Sequence, residues 1–197
     1  MSANPYASRQ SFERAHGKTL RAGTRGGKDP LRIDWIDSPH GPILAIADDA
    51  ALYMLEFIVR KNLDLQVRRL AKKTGRAIAP GRTEITGQIE NELAEYFDGN
   101  LTRFETPLAL LGTEFQTRTW QALRAIPAGQ TRSYKDLAEA VDNPKGFRAV
   151  ANANANNRLA IIVPCHRVIA ADGGLGGYAG GLDKKRALLD LEQSAAR

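Results

Sequence analysis

SYKDLAEAVDNPKGFRAVANANANN, residues 133–157, is the stretch on which the reading of the fold turns. Ser133 stands where a helix N-cap is wanted, and Asp136 follows three residues on in a capping-box position. Leu137 and Val141 repeat at i, i+4. Asp142-Asn143-Pro144 ends the run, because proline disfavours a helical predecessor and cannot donate to the ladder. A second helical run starts near Lys145 and passes through Phe147, Arg148, Ala149, Val150 and Ala151 towards Asn156-Asn157. Helix, short turn, helix is the outline of a helix-turn-helix. After Arg148 alanine and asparagine alternate, with little bulk on any face. Such a helix suits close approach to a groove lined by phosphates and sugars, or tight packing on a neighbouring helix.

Upstream, Thr113 can cap a helix carrying Phe115, Thr119-Trp120 and Leu123 and ending at Pro127-Ala128-Gly129. Downstream, a greasy extended run, Ile161-Ile162-Val163, delivers Pro164-Cys165-His166-Arg167-Val168. Cys165 is the one cysteine in 197 residues, which excludes an internal disulfide and a multi-thiolate metal site. What remains is a chemically used thiol or an inert buried one. The polar and cationic flanks favour the first, since reactive thiols need a setting that stabilises thiolate.

The N-terminal half reads differently. Strand patterns cover Arg32 to Asp37, Pro42 to Ala47 and Ala51 to Val59, with turn chemistry at Ser38-Pro39-His40-Gly41 and Asp48-Asp49. Leu63, Val67, Leu70 and Ala71 then form one helical stripe. Ile85, Ile89, Leu93 and Phe97 form another, stopped by Gly99. This predicts an α+β chain: residues 1–30 a flexible basic tail, 31–111 a small α+β module, and 112–197 a mostly helical domain. The formal net charge of +6, concentrated towards the two ends, predicts an anionic partner such as nucleic acid or, more simply, a solvated basic surface. No apolar run approaches the roughly 20 residues of a membrane span, and the first thirty residues hold no apolar signal core. A reducing interior, the cytoplasm with its nucleoid, is the expected setting.

Seven stretches in order carry a family resemblance: Phe115-Gln116-x-x-x-Trp120, Ile126-Pro127-x-Gly129, Ser133-Tyr134-x-x-Leu137-Ala138, Pro144-Lys145-x-x-Arg148-Ala149-Val150, Asn157, Pro164-Cys165-His166-Arg167-Val168 and Gly177-Tyr178-x-Gly180-Gly181. Together they resemble the C-terminal domain of the O6-alkylguanine-DNA alkyltransferases. Residues 32–105 more loosely resemble that family's N-terminal module, a ribonuclease-H-like arrangement of a three-stranded antiparallel sheet with helices. The C-terminal part is then a winged-helix or helix-turn-helix-like domain.

The resemblance implies irreversible, single-turnover transfer of an alkyl group from O6 of guanine, and from O4-methylthymine, to Cys165 after base flipping, with no cofactor and no metal. It implies activation of Cys165 through His166 and Glu192. Tyr134 would donate towards guanine N3 and crowd the flanking phosphate, and Arg148 would fill the gap left by the flipped nucleotide. Ala149 and Arg167 join the DNA contacts, with Asn157 as the hinge between recognition helix and active-site turn. The pocket would be lined by Val168, whose main chain accepts from the exocyclic amine, by Tyr178 and Ala179 on a closing loop, and by Ala160. Ala179 stands where some members have serine and Ala160 where some have proline, which bears on the adduct sizes accepted. The implied partner is double-stranded DNA carrying O6-alkylguanine, met by a monomer, with cooperative loading left open and no membrane involved. A lesion sensor of the alkyltransferase-like kind is the competing class, but those proteins lack the nucleophilic cysteine. Residues 6–17 resemble the end of an AraC-type DNA-binding domain, as in adaptive-response activators, and imply a remnant of it.

Overall fold

The computed structural model of the chain describes residues 6, 8–11, 14 and 29–196. Half of the stretch 6–17 that resembles an AraC-type domain lies outside the described residues, as does most of the expected basic tail. Tyr6 lies among the described ones. It is buried, its hydroxyl donates to Asp64 at 2.9 Å, and its carbonyl accepts from Trp35 Nε1 at 2.9 Å.

Two compact units divide the chain. One takes in Met1–Leu93 with Thr106–Ala109, the other Ala94–Glu105 with Leu110–Arg197. In the first, β1 (Leu31–Ile36), β2 (Ile43–Ala47) and β3 (Leu52–Phe57) form the predicted antiparallel meander, with every residue of β2 buried. Helix α1 (Leu63–Thr74) buries Leu63, Val67 and Leu70, and α2 (Glu84–Phe97) follows. The sheet exceeds the expected three strands. Ile78–Pro80 adds β4, parallel to β1, giving the order β3-β2-β1-β4. Three residues are too few for alternation to register, and the closing proline restricts the strand to a sheet edge.

In the second unit, α3 (Glu114–Arg124) and α4 (Tyr134–Ala140) open on reciprocal capping boxes. These are Thr113 with Gln116, and Ser133 with Asp136. Helix α5 (Phe147–Ala155) begins two residues later than the sequence suggests, because Asn143 to Gly146 forms a closed turn in which Gly146 N–H donates to Asn143 carbonyl at 2.8 Å. Helix α5 buries Val150, Ala153 and Asn154, and Trp120 Nε1 of α3 donates to the Ala153 carbonyl at 2.9 Å. Helix α6 (Leu182–Ala195) ends the described chain.

Two short elements position the thiol. Strand β5 (Arg132–Ser133) pairs in parallel with β6 (Val168–Ile169), which fixes the start of α4 beside the residues that follow Cys165. The run before the cysteine is buried as expected but is not extended. Val163 N–H donates to the Leu159 carbonyl at 2.9 Å, and Ile161 sits at φ 71. A β-branched residue in the left-handed region is strained, so the tight turn persists only because its surroundings enforce it. Among the described residues, no helix is long and apolar enough to cross a membrane.

The Trp120 bond is a polar link between α3 and α5. Trp120→Phe keeps most of the burial and removes that bond, so a loss of about 1–2 kcal/mol is expected by denaturant titration.

Candidate active site

Cys165 opens a single 3₁₀ turn, Cys165–Arg167, launched by Pro164, and is 9% exposed. Its sulfur is held from the helix-turn-helix side. Asn157, just beyond α5, donates from Nδ2 to Cys165 Sγ at 3.2 Å and to the Val163 carbonyl at 2.8 Å, while its Oδ1 accepts from Leu159 N–H at 2.9 Å. A donor aimed at sulfur favours thiolate over thiol. Asn157 is 2% exposed, with its side chain turned inward to these bonds.

His166 and Arg167, next in the chain, point into the protein and meet Glu192 of α6. The Glu192 carboxylate takes five hydrogen bonds. Oε1 accepts from Tyr96 hydroxyl, His166 Nε2 and Arg167 Nη2, each at 2.8 Å. Oε2 accepts from Arg167 Nε at 2.8 Å and Gly129 N–H at 3.3 Å. Burial opposes its ionisation, but the hydrogen bonds and charges of His166 and Arg167 prevail and hold the carboxyl far below its ordinary range. Complete burial pushes the His166 imidazole down, and Glu192 only partly offsets that, so the ring is neutral near pH 7. With Nε2 committed to the carboxylate, Nε2 carries the hydrogen and Nδ1 carries the lone pair. Nδ1 is buried with no protein partner, a basic atom one residue from the nucleophile.

Arg167 corrects the sequence reading. Placed among the DNA contacts by the resemblance, it is buried, bidentate on Glu192, and bonded through Nη1 to the Ile126 carbonyl at 2.5 Å. All of its reach is used inside the fold.

Tyr134, the first residue of α4, lies against the glycine loop. A Cβ placed on Gly176 would come 3.5 Å from its ring and 3.6 Å from its hydroxyl. Burial pushes its phenol up, an Asn154 amide bond pulls it back, and the charge at Cys165 adds to the rise, so hydroxyl and thiol sense one another. The Tyr178 ring stands edge-on to His166, centroids 6.4 Å apart. Val168 and Ala160 are buried, and Ala179 is exposed on the loop. Arg148 and Ala149 are exposed on the first turn of α5.

Sequence reasoning missed Tyr96, Asn154 and Lys185. Lys185 is fully buried, with Nζ donating to the Val168 carbonyl at 2.6 Å and to that of Leu175. It therefore ties the strand after the cysteine to the loop bearing Tyr178. Burial pushes its ammonium down to about 8, with charge at Cys165 opposing. In the sequence it sits in Lys184-Lys185-Arg186, which reads as a solvated helix face. Among the described residues, no cluster of His, Cys, Asp and Glu is placed to hold a metal.

A single primed thiol beneath a helix-turn-helix defines a class of DNA-directed cysteine proteins, and the comparisons agree. Residues 114–194 match the family described as 6-O-methylguanine DNA methyltransferase, DNA binding domain. The chain is 41% identical over 168 residues to the methylated-DNA–protein-cysteine methyltransferase of Methanosarcina barkeri, across 85% of this chain and 100% of that protein. It is 44% identical over 161 residues to the Mycobacterium tuberculosis protein of the same name, across 82% of this chain and 92% of that one. The crystal structure of Mycobacterium tuberculosis OGT in complex with DNA matches with a TM-score of 0.72 at 41% identity, covering 83% of this chain and 94% of that chain. The chain belongs to the methylated-DNA–protein-cysteine methyltransferase family.

The buried ionisable groups all make stability rise with pH, each in its own window. His166 is held below its ordinary 6.5 and Glu192 below its ordinary 4.5, so the unfolded chain binds more protons than the folded one below each value. The unfolding midpoint therefore falls as pH drops through 6.5 and again through 4.5. Lys185 is held near 8 against its ordinary 10.5, so its folded form gains on the unfolded chain as pH rises between those values. Wild type is expected to gain stability relative to Lys185→Met across that window, measured by thermal melts of both proteins.

Proposed function

We propose that this protein reverses alkylation damage in DNA directly, moving the alkyl group from O6 of guanine to Cys165 in one irreversible event. The observation that carries the reading is the set around the sulfur: Asn157 donating to Sγ, with a neutral His166 beside it fixed by Glu192. A free thiol, with an ordinary pKa of about 8.5, is mostly protonated at neutral pH and needs such help.

The step balances without a cofactor. The thiol proton passes towards His166 Nδ1, sulfur forms a bond to the alkyl carbon, and the carbon–O6 bond breaks. Tyr134 donates its hydroxyl proton at N3, so guanine leaves as a neutral base, and the proton taken up at His166 returns through solvent to the phenol, leaving both groups neutral. The new thioether has no leaving group that water could displace, so the protein is consumed. O4-methylthymine presents the same methyl carbon–oxygen bond to the sulfur.

The target atom lies inside a duplex, so the base must first be extruded at a cost of a few kcal/mol, which weak pairing of the alkylated base reduces. Residues 112–197 form the part that binds and reacts. Arg148 enters the stack where the nucleotide left, because a planar guanidinium both stacks and donates. Ala149 permits close approach to the minor groove, and the loop bearing Tyr178 and Ala179 covers the base. The working place is the nucleoid of the cytoplasm, and the acting species is a monomer.

Intact-protein mass spectrometry after incubation with a duplex containing O6-methylguanine tests the reading. One methyl group per chain is expected, located on Cys165, with Cys165→Ala inert. An unmodified wild-type protein that still binds the lesion would establish a sensor instead. Arg148→Ala is expected to slow transfer from duplex DNA far more than from the free modified base.

A further inference from the structure

Phe147 is one of four large apolar side chains exposed among the described residues, and it is 50% exposed. It is the first residue of α5, and the Arg148 guanidinium lies over its ring, 5.6 Å from the centroid. The exposed positions that follow on this helix, Ala149, Asn152 and Ala155, are all small. Phe147 therefore stands above a face otherwise built for close approach.

The launch of this residue is built into the turn before it. Gly146 cannot be replaced without moving Asn143, whose amide nitrogen would lie 2.1 Å from a Cβ there. Gly146 N–H closes the turn on Asn143, and its carbonyl accepts from Val150 N–H at 3.0 Å. The helix thus begins abruptly, with Phe147 and Arg148 as its first two residues and no acidic residue in its first turn. A cation at a helix start is opposed by the macrodipole. Helix stability does not explain an arginine there, and a local rule broken without local gain marks a functional position. A ring beneath the guanidinium offers what the helix start lacks, the negative face of an aromatic.

We propose that Phe147 is a DNA-contacting residue that acts as one stacked unit with Arg148, its ring packing as an apolar wedge against the base and sugar beside the gap. The occupant is the duplex itself. Exposed Lys145 and Arg148 supply the charge that draws the phosphate backbone to this turn. An apolar wedge at an unstacked step is an established way for a protein to hold a deformed duplex. Stacked on Phe147, the guanidinium is ordered before it enters the helix, which lowers the entropy lost on insertion.

This inference rests on the proposed repair function, and the two fail separately. If wild-type protein is not methylated by the duplex, the repair reading fails. Given methylated wild type, single-turnover transfer is compared for Phe147→Ala, Phe147→Trp and Phe147→Ala/Arg148→Ala, from duplex O6-methylguanine and from the free base. Phe147→Ala is expected to slow transfer from duplex about ten-fold and to leave the free-base rate unchanged. Phe147→Trp is expected to retain most of the duplex rate. In the Arg148→Ala background the further effect of Phe147→Ala is expected to shrink, as two residues acting as one unit are not additive. An unchanged duplex rate, equal slowing with both substrates, or full additivity with Arg148→Ala would overturn the proposal.

Discussion

A carboxylate buried in the second unit organises what surrounds it. Glu192 brings together Tyr96, the turn at Gly129, and the neighbours His166 and Arg167, residues drawn from three separate parts of the sequence besides its own. Removing an ion from water is costly, and the cost is offset only where every lone pair finds a donor. Here a bidentate guanidinium neutralises the charge, and a phenol, an imidazole and a backbone amide use the remaining capacity. The result is a rigid backing for the 3₁₀ turn at Cys165. His166 and Arg167 cannot swing out, so the cysteine between Pro164 and His166 is presented in one orientation.

The same network sets protonation. Arg167 keeps Glu192 ionised, Glu192 holds the hydrogen of His166 on Nε2, and burial keeps the ring uncharged. Each member limits the next, which leaves a lone pair at Nδ1 of the residue that follows the cysteine. Asn157 donates to the sulfur, and Lys185 secures the carbonyl of Val168. Polar groups this deeply buried are worth their desolvation only when fully partnered. Nδ1, without a hydrogen-bond partner among the described residues, departs from that rule, and such departures gather where chemistry is done.

The legibility of this arrangement in the sequence followed the range of the interactions. The Ser133–Asp136 capping box, the cap at Thr113, the two-helix outline and the β1–β3 meander depend on contacts within a few residues, and local pattern predicts them. The family resemblance brought out Cys165, His166, Glu192, Tyr134, Arg148 and Asn157. Strand β4 and the β5–β6 pair were not legible, because two or three residues carry no periodicity and their partners lie far along the chain. The burial of Arg167 and Lys185 was not legible for one reason: a charge carries no sign of burial unless its buried partner is known. For Lys185 those partners are backbone carbonyls, which leave no trace in side-chain identity. Tyr96 lies 96 residues from Glu192 and reads simply as part of an amphipathic helix. The extended reading of 161–164 failed at Ile161, whose left-handed backbone no propensity would suggest.

The central claim is that Glu192 fixes His166 as a neutral imidazole with hydrogen on Nε2 and a free lone pair on Nδ1. Long-range nitrogen–hydrogen NMR correlation of the ring, in wild-type protein labelled at histidine, reads this directly. Between pH 6.5 and 8 the account predicts a protonated Nε2 and an unprotonated Nδ1 for His166. An imidazolium in that range, or the tautomer with hydrogen on Nδ1, would contradict it.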